Sequence, residues 1–413
     1  MERVHQAFLN ILRSALAGQP LEGSPELSPE EWARLMELAR QHHLLPLVFE
    51  TVHSLPELKN APFLPPVRLQ VRQQIIAQAQ KSWDFLNLSR RLQAAGIPTL
   101  VVKGIICRNL YPLPDHRTSS DEDLLIPAGA FGRCHQLLTD CGMTTTESPE
   151  GLADAYEIPY RKKDGPLYIE LHRHLFPPES EAYGDLNRFF EGVFDRAVEE
   201  TIDGTPVRTM CPTDHLFYLV CHAFKHFLHS GFGIRQVCDI VMYANVHGSG
   251  IDWAAVLDHC REIRADRFAA AVFEIGRNHL VFDPERAHYP RQWREISVDE
   301  GPMLEDLLAG GVYGSASTSR SHSSSITLDA VAAGKQGRKT GNAVLLSLFP
   351  PAKKLEGRYP YLKDRPWLLP AAWVSRMVRY HRESRSEGGN RGAEALKIGN
   401  QRVELLREYG IIK

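Results

Sequence analysis

This 413-residue sequence has few cysteines, no two of them in a recognised paired motif, and it has no long apolar run. The seven cysteines form no Cys-x-x-Cys motif, which argues against a structural zinc site and fits reduced thiols in apolar surroundings. No run of about 18 uncharged apolar residues occurs, and no apolar signal region follows the N-terminus. The sequence therefore predicts a cytoplasmic protein without a membrane partner.

A strong charge of either sign is also missing. The 48 Lys and Arg residues nearly balance the 50 Asp and Glu residues, and the formal net charge is -2. A chain that binds nucleic acid or an anionic membrane through its overall field would be more basic. Nucleic acid is therefore not favoured as a partner, and only a local basic patch such as Arg90-Arg91 is compatible with it.

Two common catalytic signatures are absent. The sequence has no Gly-x-x-x-x-Gly-Lys-Ser/Thr loop and no Gly-x-Ser-x-Gly elbow, which argues against P-loop NTPases and α/β-hydrolases. Apolar residues make up 43% of the chain and charged residues 24%, the composition of an ordinary globular protein. The length exceeds that of one compact core, so we expect two or three domains.

The apolar pattern divides the chain into segments of different character. Apolar residues recur at helical spacing before residue 95, and Ser28-Pro29-Glu30-Glu31 has the order of a capping box. Residues 310–342 are rich in Gly, Ser, Thr and Ala, as in a mobile loop or linker, and the stretch 382–394 is expected to be exposed. The predicted domains are an N-terminal helical region at 1–95, an α/β core at 96–210, a helical domain at 211–300, and a flexible loop with C-terminal extension at 301–413.

Strand candidates concentrate in the core segment. Residues 97–102 form a β-rich run, and Asp123–Ile126 form a second. Residues 156–161 and 167–172 flank Asp164-Gly165, the turn of a predicted hairpin. We therefore expect an α+β or α/β fold, with a mixed sheet flanked by an N-terminal helical region and a C-terminal helical domain.

The most informative feature is a pair of alternating carboxylates. Asp121 and Asp123 share one face of a strand, and Glu122 points to the other. Two adjacent carboxylates repel each other unless a cation lies between them, and Mg²⁺ prefers hard oxygen ligands of this kind. A solvated surface turn with alternating acids would give the same short pattern. The residues around the pair must therefore distinguish a metal site from a surface turn.

Those surroundings include a glycine at the end of the first strand. Lys103-Gly104 follows the apolar run Leu100-Val101-Val102, and a short helix is predicted after it. Glycine allows close approach of the backbone, and the N-terminus of the next helix favours a phosphate group.

A third carboxylate lies in a later strand. Glu170 and His172 share a face, with Leu171 on the other. A carboxylate in an apolar strand is costly unless it is paired or bound to metal, so Glu170 is the natural third ligand. His172 is expected to hydrogen-bond a carboxylate or phosphate. An edge strand with its polar face in water is the alternative.

Together these elements resemble the nucleotidyltransferase superfamily, with its polymerase-beta-like fold. More specifically, they resemble an uncharacterised bacterial nucleotidyltransferase family, and this resemblance covers roughly residues 30–280 and continues more loosely to Tyr359-Pro360. The matching elements are Lys103-Gly104, Tyr111-Pro112, Arg117, Asp121-x-Asp123-Leu124-Leu125 and Glu170-Leu171-His172.

The resemblance implies a Mg²⁺-dependent transferase that binds an NTP, with ATP as one candidate, and an unidentified acceptor. Asp121, Asp123 and Glu170 would be the catalytic and metal-binding residues. The residues expected to contact the nucleotide are Lys103, Gly104, Arg117, Ser119, Ser120, His172 and His222.

One departure from the superfamily concerns the residue after the glycine. A serine usually follows and helps to hold the triphosphate, whereas Ile105 follows Gly104 here. Ser119, Ser120 or Arg117 would then supply the phosphate contacts.

A helix after Pro212 carries four histidines on one face. They are His215, His222, His226 and His229. We expect His215 and His229 to pack against the core, whereas His222, with Lys225 or His226, would contact substrate or phosphate. Zinc binding by His222 and His226 is a weaker alternative. Arg235 and Asp239 lie one helical turn apart, and a structural role is expected for this pair.

Three functions remain open at this point. The first is transfer of an NMP group from an NTP to an acceptor hydroxyl or phosphate, with release of pyrophosphate. The second is a catalytically weak nucleotide-binding or regulatory protein that keeps the fold, a reading motivated by Ile105. The third is a toxin-like nucleotidyltransferase that modifies tRNA, which the near-neutral charge does not favour.

Overall fold

The computed structural model describes most of the chain, and the fold is given for those residues alone. They are 1–148, 151–152, 155–229, 231–311, 324, 327–328, 330–332, 335, 352–355, 359–362, 364–375 and 391–412. Most of the predicted linker at 310–342, and residues 382–390 of the predicted exposed stretch, lie outside them.

Four helices precede the sheet: α1 Arg3–Ala17, α2 Pro29–Gln41, α3 Leu45–Val52 and α4 Leu64–Ala94. The predicted capping box is present, because the Ser28 hydroxyl accepts from the Glu31 N–H at 3.2 Å and the Glu31 carboxylate accepts from the Ser28 N–H at 2.8 Å. The 31-residue helix α4 reaches the sheet with its C-terminal half, where Phe85, Leu88 and Leu92 are buried.

One mixed sheet forms the centre of the described chain. Its spatial order is β3-β4-β5-β2-β1-β7-β6. The strands are β1 Leu100–Val101, β2 Glu122–Leu125, β3 Met143–Thr144, β4 Glu157–Lys162, β5 Tyr168–His172, β6 Val198–Ile202 and β7 Thr205–Thr209. Two helices lie between these strands in sequence, α5 Ile105–Arg108 and α6 Phe131–Asp140.

The strand pairing places the acidic residues side by side. β2 lies between β1, to which it is antiparallel, and β5, to which it is parallel. In the β2–β5 register Asp123 is opposite Glu170, and Leu125 is opposite His172. The predicted hairpin is confirmed as the antiparallel pair β4–β5. The α+β class with a mixed sheet is therefore confirmed.

Helices follow the sheet, as predicted. They are α7 Pro212–His229, α8 Ile234–His247, α9 Trp253–Glu262, α10 Asp266–His279, α11 Arg291–Arg294, α12 Gly301–Gly310, α13 Ala352–Leu355 and α14 Arg391–Glu408. Residues 369–375 are also helical, and the rest of a helix predicted near 371–382 lies outside the described residues. No helix in the described part is long and apolar enough to cross a bilayer.

A continuous apolar core joins these layers. It extends from Val4 and Phe8 of α1 through the strands to the α7–α10 helices, and it includes Leu406 and Tyr409 near the C-terminus. Helix α14 also contacts α7, because its Arg402 donates to the Phe227 carbonyl. The same side chain forms an ion pair with Asp306 at 2.6 Å. The domain boundaries given above stay a prediction.

Candidate active site

Gly104 forms the sharp turn after β1 because another side chain lies against it. Its φ is +50°, in the left-handed region that favours glycine. A Cβ at this position would lie 2.0 Å from Oε2 of Glu122, far inside van der Waals contact. Glycine is therefore required here both by the backbone conformation and by the close approach of Glu122.

Glu122 is buried on the sheet face opposite Asp123, as alternation predicts, and it holds the turn together. Its carboxylate accepts from the Ile105 N–H at 2.7 Å and forms an ion pair with Arg108 at 2.7 Å. Both charged side chains are at most 1% exposed. The expectation that the N-terminus of this helix faces a phosphate is corrected, because the Glu122 carboxylate already occupies it.

Asp123 lies at the centre of the opposite face. Its Oδ1 is 3.0 Å from Lys103 Nζ and 3.1 Å from His172 Nε2. Burial alone would raise the pKa of this carboxyl, but the charge of Lys103 and the hydrogen bond from His172 outweigh burial and hold the pKa below its usual range. Asp123 is therefore a carboxylate at every physiological pH, and its Oδ2 has no hydrogen-bond partner among the described residues.

Glu170 meets Asp123 across the β2–β5 pair, as predicted. Ligand atoms of Asp123, Glu170 and His172 all lie within 4.8 Å of one another. Burial, and then the charges of Asp123 and Asp121, raise the pKa of Glu170 from 4.5 to about 8. The predicted hydrogen bond of His172 to a carboxylate is present, and its partner is Asp123.

Asp121 precedes β2 and lies at the edge of this cluster. Its carboxylate is 4.0 Å from Lys103 Nζ and accepts from the Ser120 hydroxyl at 3.1 Å. Asp121 is not part of the tight three-residue group. Its negative charge nevertheless contributes to the raised pKa of Glu170, so the three carboxylates share one electrostatic environment.

Helix α4 holds the loop that carries Asp121, a role that sequence analysis missed. Buried Lys81 donates through Nζ to the carbonyl of Ser119 and to that of Ser120 at 3.0 Å. Gln78 accepts from the Ser119 N–H at 2.9 Å, and Arg108 donates to the Ser119 hydroxyl at 3.0 Å. Ser119 is thus occupied by protein contacts. The available signal was the spacing of Gln78 and Lys81 from Phe85, Leu88 and Leu92, which places all five on one face of the helix.

Arg117 has a partner that spacing alone could not reveal. Its Nε and Nη2 contact the Asp239 carboxylate at 2.7 and 2.5 Å, and the Tyr111 hydroxyl donates to the same group at 2.8 Å. This ion pair is buried rather than on the surface. The expected partner of Asp239, Arg235, donates to the Thr118 carbonyl at 2.6 Å.

The histidine face of α7 lies against this region. His222 Nε2 is 3.2 Å from Lys103 Nζ, and the rings of His222 and His226 are 4.7 Å apart. Burial, and then the charge of Lys103, hold the pKa of His222 well below its usual value, so its ring is neutral. His215 packs in the core against the Thr209 hydroxyl at 3.2 Å, as expected. Within the described residues no third ligand joins His222 and His226 in a metal group.

The carboxylate cluster fits a divalent cation. Asp123 brings a buried oxygen without a hydrogen-bond partner among the described residues, and burial together with nearby negative charge raises the pKa of Glu170 to about 8. A bound cation would give the Asp123 oxygen a partner and would lower the pKa of Glu170. Carboxylate oxygens are the ligands that Mg²⁺ prefers. His172 adds a nitrogen, which Mg²⁺ accepts less readily, and its bond to Asp123 makes it an orienting group.

Comparison with known protein families gives a match. The model of a family described as "Uncharacterised nucleotidyltransferase" matches residues 28–280, more than half of the chain. The matched segment contains every residue of the cluster described above. No curated protein and no solved structure matches the chain.

Proposed function

The chain belongs to the family of uncharacterised nucleotidyltransferases, and on that premise we propose that it transfers an NMP group from an NTP, with ATP as the first candidate, to an acceptor hydroxyl or phosphate. The acceptor oxygen attacks the α-phosphorus, the bond from that phosphorus to the bridging oxygen breaks, and pyrophosphate leaves with the bonding electrons. Asp121, Asp123 and Glu170 would hold Mg²⁺. When bound, the ion would offset the charge of the triphosphate and of the leaving pyrophosphate.

The observation that carries this proposal is the pairing of Asp123 with Glu170 across parallel strands, with His172 beside them. Three groups that could bind a cation therefore lie together near the turn at Gly104. A purely structural cluster would pair its carboxylates with cations or donors, yet Asp123 Oδ2 has no such partner among the described residues.

The protein side chains would divide the remaining tasks between them. Burial and the charges of Asp123 and Asp121 raise the pKa of Glu170, so its carboxylate, once deprotonated, is the group suited to take the proton of the acceptor hydroxyl. Lys103 lies beside both Asp121 and Asp123, where its charge would face the nucleotide phosphates. Contacts of Arg117, Ser120, His172 and His222 with the nucleotide complete the proposal. Gly104 and Ser119 are left out of it, because Glu122 lies against Gly104 and Ser119 is held by protein contacts.

The direct test is pyrophosphate release from each of the four NTPs with Mg²⁺, across a panel of sugar, peptide, nucleoside and tRNA acceptors. We expect release that depends on one acceptor class and stops when a chelator removes the metal. Calorimetry with ATP and Mg²⁺ on the same preparation measures binding separately. Nucleotide binding without turnover on any acceptor would contradict the proposal.

A second prediction concerns Glu170 in the metal-free protein. Because folding raises its pKa from 4.5 to about 8, the folded state binds this proton more tightly than the unfolded state. The resulting stabilisation is complete below pH 4.5 and is lost as pH rises through 8. In chelator, Glu170→Gln should therefore raise the unfolding temperature by a few degrees at pH 9 and by much less at pH 5.

Thermal unfolding at pH 5, 7 and 9 measures this effect, with exposed Glu404→Gln as the matched control. The control should leave the unfolding temperature unchanged at each pH. A pH-independent effect of Glu170→Gln would show that its carboxyl does not share the negative environment of Asp121 and Asp123.

One observation favours a second candidate, a nucleotide-binding protein with weak or no turnover. The Ile105 N–H, which stands where the superfamily commonly has a serine, donates to Glu122. That backbone group is therefore not offered to a triphosphate. The pyrophosphate-release assay described above separates the two candidates, since both bind the nucleotide and only the enzyme converts it.

A further inference from the structure

A narrow polar cavity lies beside the carboxylate cluster, between the turn after β1 and helix α8. It is partly open to solvent. Lys103 and Asp121 line the cavity as well as the cluster, so the two regions are continuous. Arg117, Arg235 and Gln236 line its other side.

Two buried donors of this wall have no acceptor within the described chain. Arg117 is 3% exposed, and Asp239 takes its Nε and Nη2, which leaves Nη1 without a hydrogen-bond partner there. Gln236 is 6% exposed, and its Nε2 also has no hydrogen-bond partner within the described residues. A buried donor without an acceptor costs about 1–3 kcal/mol, so two in one cavity indicate that something else accepts from them.

The orientation of the Gln236 amide is set by its own contact. The Gly233 N–H, just before α8, donates to Gln236 Oε1 at 2.7 Å. Only the amide oxygen can accept that bond, so the NH₂ group is the end left over. The contact with Gly233 gives the amide oxygen of Gln236 a hydrogen-bond partner, but the amide nitrogen has none within the described residues.

The chemistry of the wall selects an anion. Its cationic side chains are Lys103, Arg117 and Arg235, and one of its two carboxylates, Asp239, is held by Arg117. Guanidinium and amide N–H groups are suited to phosphate oxygens. The cavity also opens beside Lys103 and Asp121, where the proposed nucleotide would place its phosphates.

We propose that this cavity is the polyphosphate subsite, in which Arg117 Nη1 and Gln236 Nε2 donate to a terminal phosphate group of the NTP. The inference rests on the proposed function. It places the phosphate contacts on the wall formed with helix α8 rather than at the turn of Gly104, whose helix N-terminus Glu122 already occupies. Gln236, which sequence analysis did not single out, becomes a substrate-binding residue.

Gln236→Glu is the sharpest test. A carboxylate still accepts from the Gly233 N–H, so the start of α8 is kept, while the donor is lost and a negative charge enters the cavity. Calorimetry with tripolyphosphate in chelator should show binding by the wild-type protein and a loss of affinity of about tenfold or more in Gln236→Glu. Gln73→Glu, an exposed position on α4, adds the same charge elsewhere and should bind like the wild type.

Failure of the subsite and failure of the enzyme give different results. Tripolyphosphate binding that Gln236→Glu weakens, without turnover of any NTP, would keep the subsite and remove nucleotidyl transfer. NTP turnover with an unchanged KM in Gln236→Glu would keep the transferase and overturn the subsite. Equal tripolyphosphate affinity in both proteins, or none in the wild type, would also overturn it.

Discussion

Asp123→Asn is expected to lower the rate of acceptor-dependent pyrophosphate release by about three orders of magnitude or more, with the fold retained. Asparagine has nearly the same shape as aspartate and still accepts from Lys103 and His172. It lacks the negative charge that would hold a cation against the buried Oδ2 position. The same direction is expected for Asp121→Asn, which removes the neighbouring charge.

The matched control is Asp258→Asn, at a position whose side chain is 75% exposed on α9. It should have the wild-type rate. Unfolding temperatures of all variants, with and without Mg²⁺, show whether a loss of rate comes from the site: only the wild type and the control should be stabilised by the metal. A wild-type rate in Asp123→Asn would remove Asp123 from the reaction.

Arg108→Met is expected to have the largest effect on stability. It leaves the fully buried Glu122 carboxylate without its cation, and breaking such a pair costs about 3–5 kcal/mol in the free energy of unfolding. Arg291 also pairs with a glutamate, but its side chain is 90% exposed. Arg291→Met should therefore cost at most about 1 kcal/mol.

Denaturant unfolding of both variants measures the difference. The double variant Arg108→Met/Glu122→Gln should recover part of the loss, since it removes the uncompensated charge while an amide oxygen still accepts from the Ile105 N–H. The double variant keeps the test available if Arg108→Met alone does not fold. Equal losses for Arg108→Met and Arg291→Met would contradict the assigned role of the buried pair.

Local patterns were sufficient to predict much of the fold. The capping box at Ser28, the alternation around Asp123 and the hairpin around Asp164-Gly165 each depend on residues a few positions apart, and each was found where expected. The β6–β7 hairpin was missed although Asp203-Gly204 carries its turn signal, with φ of +47° and +70°. The flanking Glu199, Glu200 and Pro206 obscured the strand pattern.

Contacts between distant segments were not predictable in the same way. No local rule joins Arg117 to Asp239, Lys81 to the Ser119 carbonyl, or the Ile105 N–H to Glu122. In each case a buried charge is satisfied by a partner that only the tertiary structure brings near. Asp123 and Glu170 were associated correctly because Glu170 is a carboxylate in a later apolar strand, and the family resemblance then supported the same set of ligands.

The parallel register of β2 and β5 has a consequence for folding. Parallel strands need a crossover, here the whole segment between residues 125 and 168, so this pairing is non-local and must overcome a substantial loop-closure entropy. A slip of one residue would put Ile169 or Leu171 opposite Asp123 in place of Glu170. Tight binding of a divalent cation would therefore report correct strand register, and a misfolded chain with normal helix content would not show it.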